Sequence, residues 1–494
     1  MQLNSKIKKL RDELDKLYQL ESSMAVLGYD QQVFMPAGAA QGRARQLEYL
    51  SELHHEQLCS DMLWGLVQEL NQNLEELNSD DKIIVKELFR SIEKNRKLPV
   101  SFVKEKSRVS SESFNQWCQS RDKNEWQAVK PYLKRIVELS RDEAKLLGFV
   151  ENPYDALLDS FEPYATVSKV KPILISLAER LKVALDSLVE KYSSVAEAKG
   201  HFSIDQQEQA CKQVLKKLGF DFNIGRLDTA AHPFMSTLGP RDIRVTTRYN
   251  EKSFFPALFG CIHEFGHALY EIGLPQEFRG TARGSAVSMA IHESQSRFWE
   301  NVVGRSRPFC LYIQKLVQDH FSISLEANQI YSQVNQVRKS LIRVEADEVS
   351  YSLHIVIRLI LEDELINGLL EVEDLPARWD SLYLEYLGLR VPDFRQGLMQ
   401  DVHWYSGSIG YFPSYALGNL YASMFTEAMS TDIGPLAILI EEGRFLDLGV
   451  WLHDKIHRLG QSYQAQALAE HVCGKNLTIE PFLSYLSAKH ELSI

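Results

Sequence analysis

His263-Glu264-Phe265-Gly266-His267 is the stretch on which the reading of this 494-residue chain turns. On an α-helix, residues i and i+4 lie on one face, so both imidazoles can reach one Zn²⁺ while Glu264 points at the ion's open position. Phe259, Ile262, Phe265, Ala268 and Leu269 supply an apolar face at the helical period, as a helix packed in a core requires. The stretch implies a helical site that activates water, the chemistry of a metal-assisted hydrolase. The competing reading is a buried helix whose histidines are satisfied by hydrogen bonds.

A catalytic zinc takes three protein donors and keeps one position for water, so a third donor must come from outside this helix. The extended metzincin pattern would place Gly at 270 and His at 273, where this chain has Tyr270 and Gly273. Gly273, Pro275, Gly280 and Gly284 break the helix and turn the chain back. A second helix is expected from about Ser285, carrying Ile291-His292-Glu293-Ser294-Gln295-Ser296-Arg297. Glu293 would complete a His/His/Glu set, although periodicity does not separate it from His292. Glu271, Glu277 and Glu300 read as solvated carboxylates or as groups standing behind the donors.

Helix-period segments recur around this pair, at about 4–27, 42–77, 80–96, 101–120, 126–147, 168–198, 204–218, 254–272, 285–303 and 325–369, with several more toward residue 494. Only 26 Gly and 16 Pro agree with long helices. The strongest strand is Asp242 to Tyr249, alternating Asp242, Arg244, Thr246 and Arg248 against Ile243, Val245, Thr247 and Tyr249 after the break at Gly239-Pro240. A sheet edge beside the metal helix would suit an extended peptide, whereas an ordinary β-ribbon with a charged face is the plainer reading. No linker, low-complexity tract or repeat divides the chain, so one large domain over 1–494, or two lobes without a flexible tether, is expected.

A net charge of -11 argues against a nucleic-acid partner. No apolar run is long enough to span a bilayer, and the mean hydropathy of -0.24 agrees. Met1 to Leu20 is a charged amphipathic stretch rather than a signal sequence, which points to the cytoplasm. The six cysteines lack paired spacing, so neither disulfides nor a cysteine zinc knuckle is expected, and Cys261 reads as a small core residue.

Five motifs stand in order: Asp242-x-Arg244-x-Thr246, the HEFGH run at 263–267, HESQS at 292–296, Ile342-Arg343-x-x-Ala346-Asp347, and Gly397-x-x-Gln400-Asp401-x-His403-Trp404. Together they resemble the carboxypeptidase Taq family of zinc metallocarboxypeptidases. Lys97-Leu98-Pro99, Tyr154-Asp155-Ala156-Leu157-Leu158-Asp159 and His232-Pro233-Phe234 extend the resemblance over nearly the whole chain. One departure lies at Tyr29-Asp30-Gln31-Gln32-Val33-Phe34-Met35-Pro36, where the family usually has Trp-Asp and a threonine. Being remote in sequence from the metal motifs, it bears on local packing more than on chemistry.

The resemblance implies a large, mainly α metallopeptidase with a deep, neurolysin-like cleft, and a homodimer. It implies His263, His267 and Glu293 as metal ligands and Glu264 as catalytic base. Zn²⁺ is the expected cofactor, with Co²⁺ or Mn²⁺ compatible with the same donors. By analogy with helical-cleft peptidases, His403 and Tyr415 would donate to the transition state, with Tyr411 in reserve and aromatic packing as the alternative for either tyrosine. Arg244 and Arg343 are candidates for gripping a free C-terminal carboxylate, because a guanidinium fork binds both oxygens. Arg343 could instead pair with Asp347 four residues on, and Arg244 could belong to a solvated strand face. His232 would line the cleft or pack in a turn. The expected activity is release of C-terminal residues from peptides with a free C-terminus, with broad specificity and C-terminal proline disfavoured. The alternatives are a neurolysin-like oligoendopeptidase and a non-catalytic metal-binding scaffold.

Overall fold

In the computed structural model, which describes residues 2–196 and 200–494, the elements framing the site are α1 (Gln2–Val33), α2 (Ser79–Lys97), α3 (Phe255–Gly273), α4 (Met289–Arg297), α5 (Glu348–Ile366) and α6 (Pro413–Ile433). A small sheet of β1 (Gly225–Thr229), β2 (Met235–Gly239) and β3 (Asp242–Thr247) precedes α3. The architecture is mainly α with a sheet beside the HExxH helix, as expected.

The sheet order is β1-β3-β2, with β3 parallel to β1 and antiparallel to β2. Of the ribbon or small sheet expected beside the HExxH helix, the sheet is present. The expectation of a free edge is corrected, because the motif strand is the middle one and β3 offers no edge to a peptide. The alternation holds from Asp242 to Val245 and then fails, because Thr246 and Thr247 are both buried. Their hydroxyls donate to Phe234 O and Ala257 O, each at 3.0 Å, so burial leaves neither unsatisfied. The second of these bonds ties the sheet to α3.

Caps explain most boundaries that periodicity misses. The segment 42–77 is two helices, Ala40–Leu58 and Asp61–Gln72, because the Ser60 side chain accepts from Leu63 N and starts a new helix. The helix expected from Ser285 begins at Met289, where Ser288 caps it through Ile291 N, and it runs on into a π-helical turn at Phe298–Gly304. The segment 325–369 breaks into Ala327–Val334 and α5, whose cap Asp347 accepts from Val349 N and Ser350 N. The segment expected at 168–198 is helical over Val167–Lys191, and its positions 197 and 198 lie outside the described residues.

α5 is buried on nearly every side, the signature of a central helix. It belongs to the large apolar cluster that also holds α3, α4 and α6. A smaller cluster joins Leu10, Leu14 and Leu17 of α1 to Leu63, Val67 and Leu70, and to Ile84, Val85 and Ile92 of α2. All six cysteines are free, and Cys261 is buried. Among the described residues no helix is long and apolar enough to cross a membrane.

Candidate active site

α3 and α4 lie antiparallel in direct contact, because Gly266 has no side chain. A Cβ at 266 would sit 2.6 Å from both Gln295 O and Ser296 Cα. Gly418 of α6 does the same on the other side of α4, where a Cβ would meet Glu293 Cγ at 2.6 Å. Two glycines thus let three helices close around one carboxylate. The glycine within the HEFGH run serves this packing.

The ring nitrogens are sorted by their hydrogen bonds. His263 Nδ1 lies 2.9 Å from Glu300 Oε2, and His267 Nδ1 lies 3.1 Å from His292 O. Both partners accept, so each imidazole carries its proton on Nδ1 and turns a bare Nε2 toward Glu293. The two Nε2 atoms stand 3.8 and 3.5 Å from Glu293 Oε2. Glu293 is itself aimed, since Arg297 Nε donates to its Oε1 at 2.7 Å and Ser296 Oγ to its Oε2 at 3.3 Å. One donor atom from each of His263, His267 and Glu293 falls within 4.8 Å of the others. Two neutral imidazoles and a carboxylate with oriented lone pairs fit a divalent cation with an open position.

His292, the alternative third donor, turns away. Its Nδ1 meets His267 Nδ1 at 2.6 Å and its Nε2 meets Glu271 Oε1 at 3.1 Å, so it backs a donor rather than joining the set.

Burial governs the charges here. Glu264 is only 7% exposed, and desolvation pushes its carboxyl up to about 7, with His263 opposing and Glu293 adding to the rise. Burial alone would lower His263, but Glu293 and Glu300 raise it. His267 is held well below the usual histidine range by burial and by His292 and His263. Burial would raise Glu300, yet Arg305 and His263 hold it well below the carboxylate range.

A second cluster adjoins Glu293 through Arg297, whose guanidinium lies 4.7 Å from the Tyr351 ring. Tyr351 packs edge-on to Tyr415 at 5.9 Å, and Tyr415 to Tyr411 at 5.0 Å. His403 Nε2 faces Tyr415 OH at 3.3 Å, while its Nδ1 lies 3.5 Å from Asp401 Oδ1, outside hydrogen-bonding geometry. Tyr411 also meets Phe161 edge-on at 5.0 Å, so it is packed as well as polar.

The pairing of Arg343 with Asp347 does not occur, because Asp347 is spent as the α5 cap and Arg343 sits on the short turn Arg343–Glu345. Arg343 instead forks onto Asp401, with Nε at 2.9 Å and Nη2 at 2.6 Å, and gives Nη1 to Tyr351 OH at 2.8 Å. Arg358, fully buried, holds the other side of Asp401 at 2.8 Å. One N–H on each Nη of Arg343 remains beyond these bonds. Arg244 forks onto Asp242, both bonds at 2.9 Å, and its guanidinium lies 4.9 Å from the Tyr29 ring. Tyr29 also donates to Asp228 at 2.5 Å. The segment set aside as remote therefore touches a motif arginine, since α1 runs on to Val33 and crosses the sheet. His232 is exposed on the β1–β2 turn.

Sequence reasoning missed His292, Arg297, Tyr351 and Asp401 as partners. Arg297 stands four after Glu293 on one helix, a spacing that signals pairing. Tyr351 and Asp401 carry no such local signal.

Fold and site together define a helical metallopeptidase. The chain belongs to the carboxypeptidase Taq (M32) metallopeptidase family, whose family model matches residues 9–490. It is 38% identical over 489 residues to thermostable carboxypeptidase 1 of Thermus thermophilus, covering 95% of each chain. It is 34% identical to carboxypeptidase 1 of Bacillus subtilis, covering 99% of each. The solved structure of the Pyrococcus furiosus carboxypeptidase superposes with a TM-score of 0.95 at 33% identity, covering 98% of this chain and 99% of that one. Metal-dependent carboxypeptidase chemistry is the coarse assignment.

Proposed function

We propose that this chain is a zinc-dependent exopeptidase that removes residues one at a time from peptide C-termini, with broad side-chain tolerance and C-terminal proline disfavoured. It works as a cytoplasmic homodimer. The observation that carries the reading is the convergence of His263 Nε2, His267 Nε2 and Glu293 Oε2 beside the buried Glu264.

His263, His267 and Glu293 would hold the ion, with Co²⁺ or Mn²⁺ compatible with the same donors. When bound, the ion acidifies water and polarises the scissile carbonyl. Glu264 takes the water's proton and passes it to the leaving amine. A carboxyl already displaced upward by burial is a better proton carrier near neutral pH than an exposed one. Tyr415, with Tyr411 in reserve, and His403 donate to the oxygen that gains charge. Arg343 uses its two uncommitted N–H groups, and Arg244 the N–H groups beyond its fork onto Asp242, to hold the substrate's terminal carboxylate. His232 contributes at the rim.

One observation favours a second reading. Both arginines already have internal carboxylate partners, which suits a neurolysin-like oligoendopeptidase that needs no free C-terminus. A matched pair of peptides, free acid and C-terminal amide, decides between them. The carboxypeptidase reading expects the amide to resist cleavage and single residues to appear from the acid; equal cleavage of both, or internal products, overturns it. Metal analysis identifies the ion, and sedimentation the oligomeric state.

A further inference from the structure

Trp404, next to His403, and Tyr154, which opens the run to Asp159, lie outside the catalytic chemistry, yet one carboxylate joins them. Glu362 of α5 is fully buried, and its Oε1 accepts from Trp404 Nε1 at 2.6 Å. Its Oε2 accepts from Tyr154 OH at 2.5 Å and from Gly410 N at 3.1 Å. All three donors are neutral, and a carboxylate suits them because it only accepts. A glutamine would turn its NH2 against Trp404 Nε1–H or against Gly410 N–H, whichever way it lay, and both of those groups only donate.

The two loop donors bracket a functional stretch. Trp404 directly follows His403 and Gly410 directly precedes Tyr411, so Glu362 grips the loop 404–410 at both ends. Within it, Ser408 N donates to His403 O at 2.9 Å, which folds the loop back on the histidine's own backbone. Gly410 has a φ of +99°, and a Cβ there would sit 2.8 Å from Leu157 C. The loop thus lies backbone to backbone on the helix Pro153–Leu158, whose Tyr154 gives its hydroxyl to the same carboxylate. Beyond the loop, Ser414 Oγ donates at 2.7 Å to Glu162 Oε1, which also takes Ala290 N from the start of α4 at 2.6 Å. The segment faces the metal donors: burial raises both Tyr411 and Tyr415, and the Glu293 carboxylate adds to each rise.

A loop seated this way keeps His403 Nε2 at 3.3 Å from Tyr415 OH. We propose that Glu362 is a positioning residue for the hydrolysis, seating the loop 404–410 on the helix Pro153–Leu158 and so holding His403 where it serves the transition state. It acts only through the loop, since its hydrogen-bond partners are Trp404, Tyr154 and Gly410. The proposal rests on the carboxypeptidase reading and on His403 as a donor to the transition state.

Kinetics of the metal-loaded enzyme on an N-blocked dipeptide with a free C-terminus test it. Glu362→Gln should lower kcat about 10- to 100-fold, the cost of a misplaced group, with KM and metal affinity unchanged. His403→Ala should lower kcat at least as far, and adding Glu362→Gln to it should cost no more than about twofold, because the two residues act as one unit. Two variants outside the carboxylate keep the test decisive if the glutamine fails to fold. Trp404→Phe removes the loop-side bond and Tyr154→Phe a bond on the scaffold side, so kcat should fall further in the first. Parental kcat in Glu362→Gln beside an impaired His403→Ala enzyme overturns the proposal alone, as do an undiminished Glu362→Gln loss in the His403→Ala background and equal losses in Trp404→Phe and Tyr154→Phe. A parent that does not cleave the free acid, or a His403→Ala enzyme with parental kcat, overturns it together with the reading on which it rests.

Discussion

His263 Nδ1 meets Glu300 Oε2 at 2.9 Å, and that contact decides which nitrogen of the ring faces Glu293. Glu300 is aimed by Arg305, whose Nη2 donates to its other oxygen at 2.8 Å. A Glu300→Gln variant keeps the shape but removes the charge that makes His263 a strong donor. Metal affinity should fall about 10- to 100-fold, measured by chelator competition. Unchanged affinity would mean that Glu300 serves only the packing of the π-helical turn.

Glu264→Gln should keep fold and metal while hydrolysis falls by roughly 10² to 10⁴, the usual worth of a general base. In the parent enzyme the working form is the carboxylate, so kcat/KM should fall as pH drops through its pKa. Burial sets that value at about 7 before metal binds. A nearby dication favours the carboxylate, so the acid limb of the loaded enzyme should lie below 7.

Tyr415→Phe removes only the hydroxyl that faces His403. If that hydroxyl donates to the transition state, kcat should drop about 10²- to 10³-fold with KM little changed. Tyr411→Phe should cost much less, because its ring packs on Phe161. The reverse order would exchange the two roles.

Gly266→Ala places a methyl 2.6 Å from backbone of α4, which has no flexible side chain to yield. Overpacking of this kind costs about 1–3 kcal/mol, so thermal unfolding should shift down and metal affinity should weaken with it. A fully stable variant would show that α3 and α4 can separate freely.

Glu162 is 2% exposed, accepts from Ala290 N and Ser414 Oγ, and is pushed up to about 7 by burial. A raised folded pKa contributes stability that is fully present below the unfolded value, near 4.3, and is lost as pH rises through about 7. Denaturation should thus find the protein more stable at pH 5.5 than at pH 8, with roughly 2 kcal/mol of the difference due to this group. Glu162→Gln should remove that share. A pH dependence unaltered by the substitution would assign it elsewhere.

What could be read from the chain alone follows the range of each interaction. The pair His263 and His267, the base between them, the helical class and the motif strand are local, because one turn of helix or one strand period places them. The caps Ser60, Ser288 and Asp347 were legible as residue types, yet periodicity ran across them and merged or lengthened helices. Arg343 shows the limit most clearly. Four-residue spacing suggested Asp347, whereas its partner Asp401 lies 58 positions away.

By itself the sequence determined the donor types and their local geometry, since helical period and side-chain chemistry are carried within a few residues. Tertiary structure alone decided that His292 stands behind His267 and does not join the donors, that Tyr29 covers Arg244, and that both arginines arrive already paired. Each depends on how helices distant along the chain pack together, and that packing is set by side-chain volumes, Gly266 and Gly418 among them, which no spacing rule records.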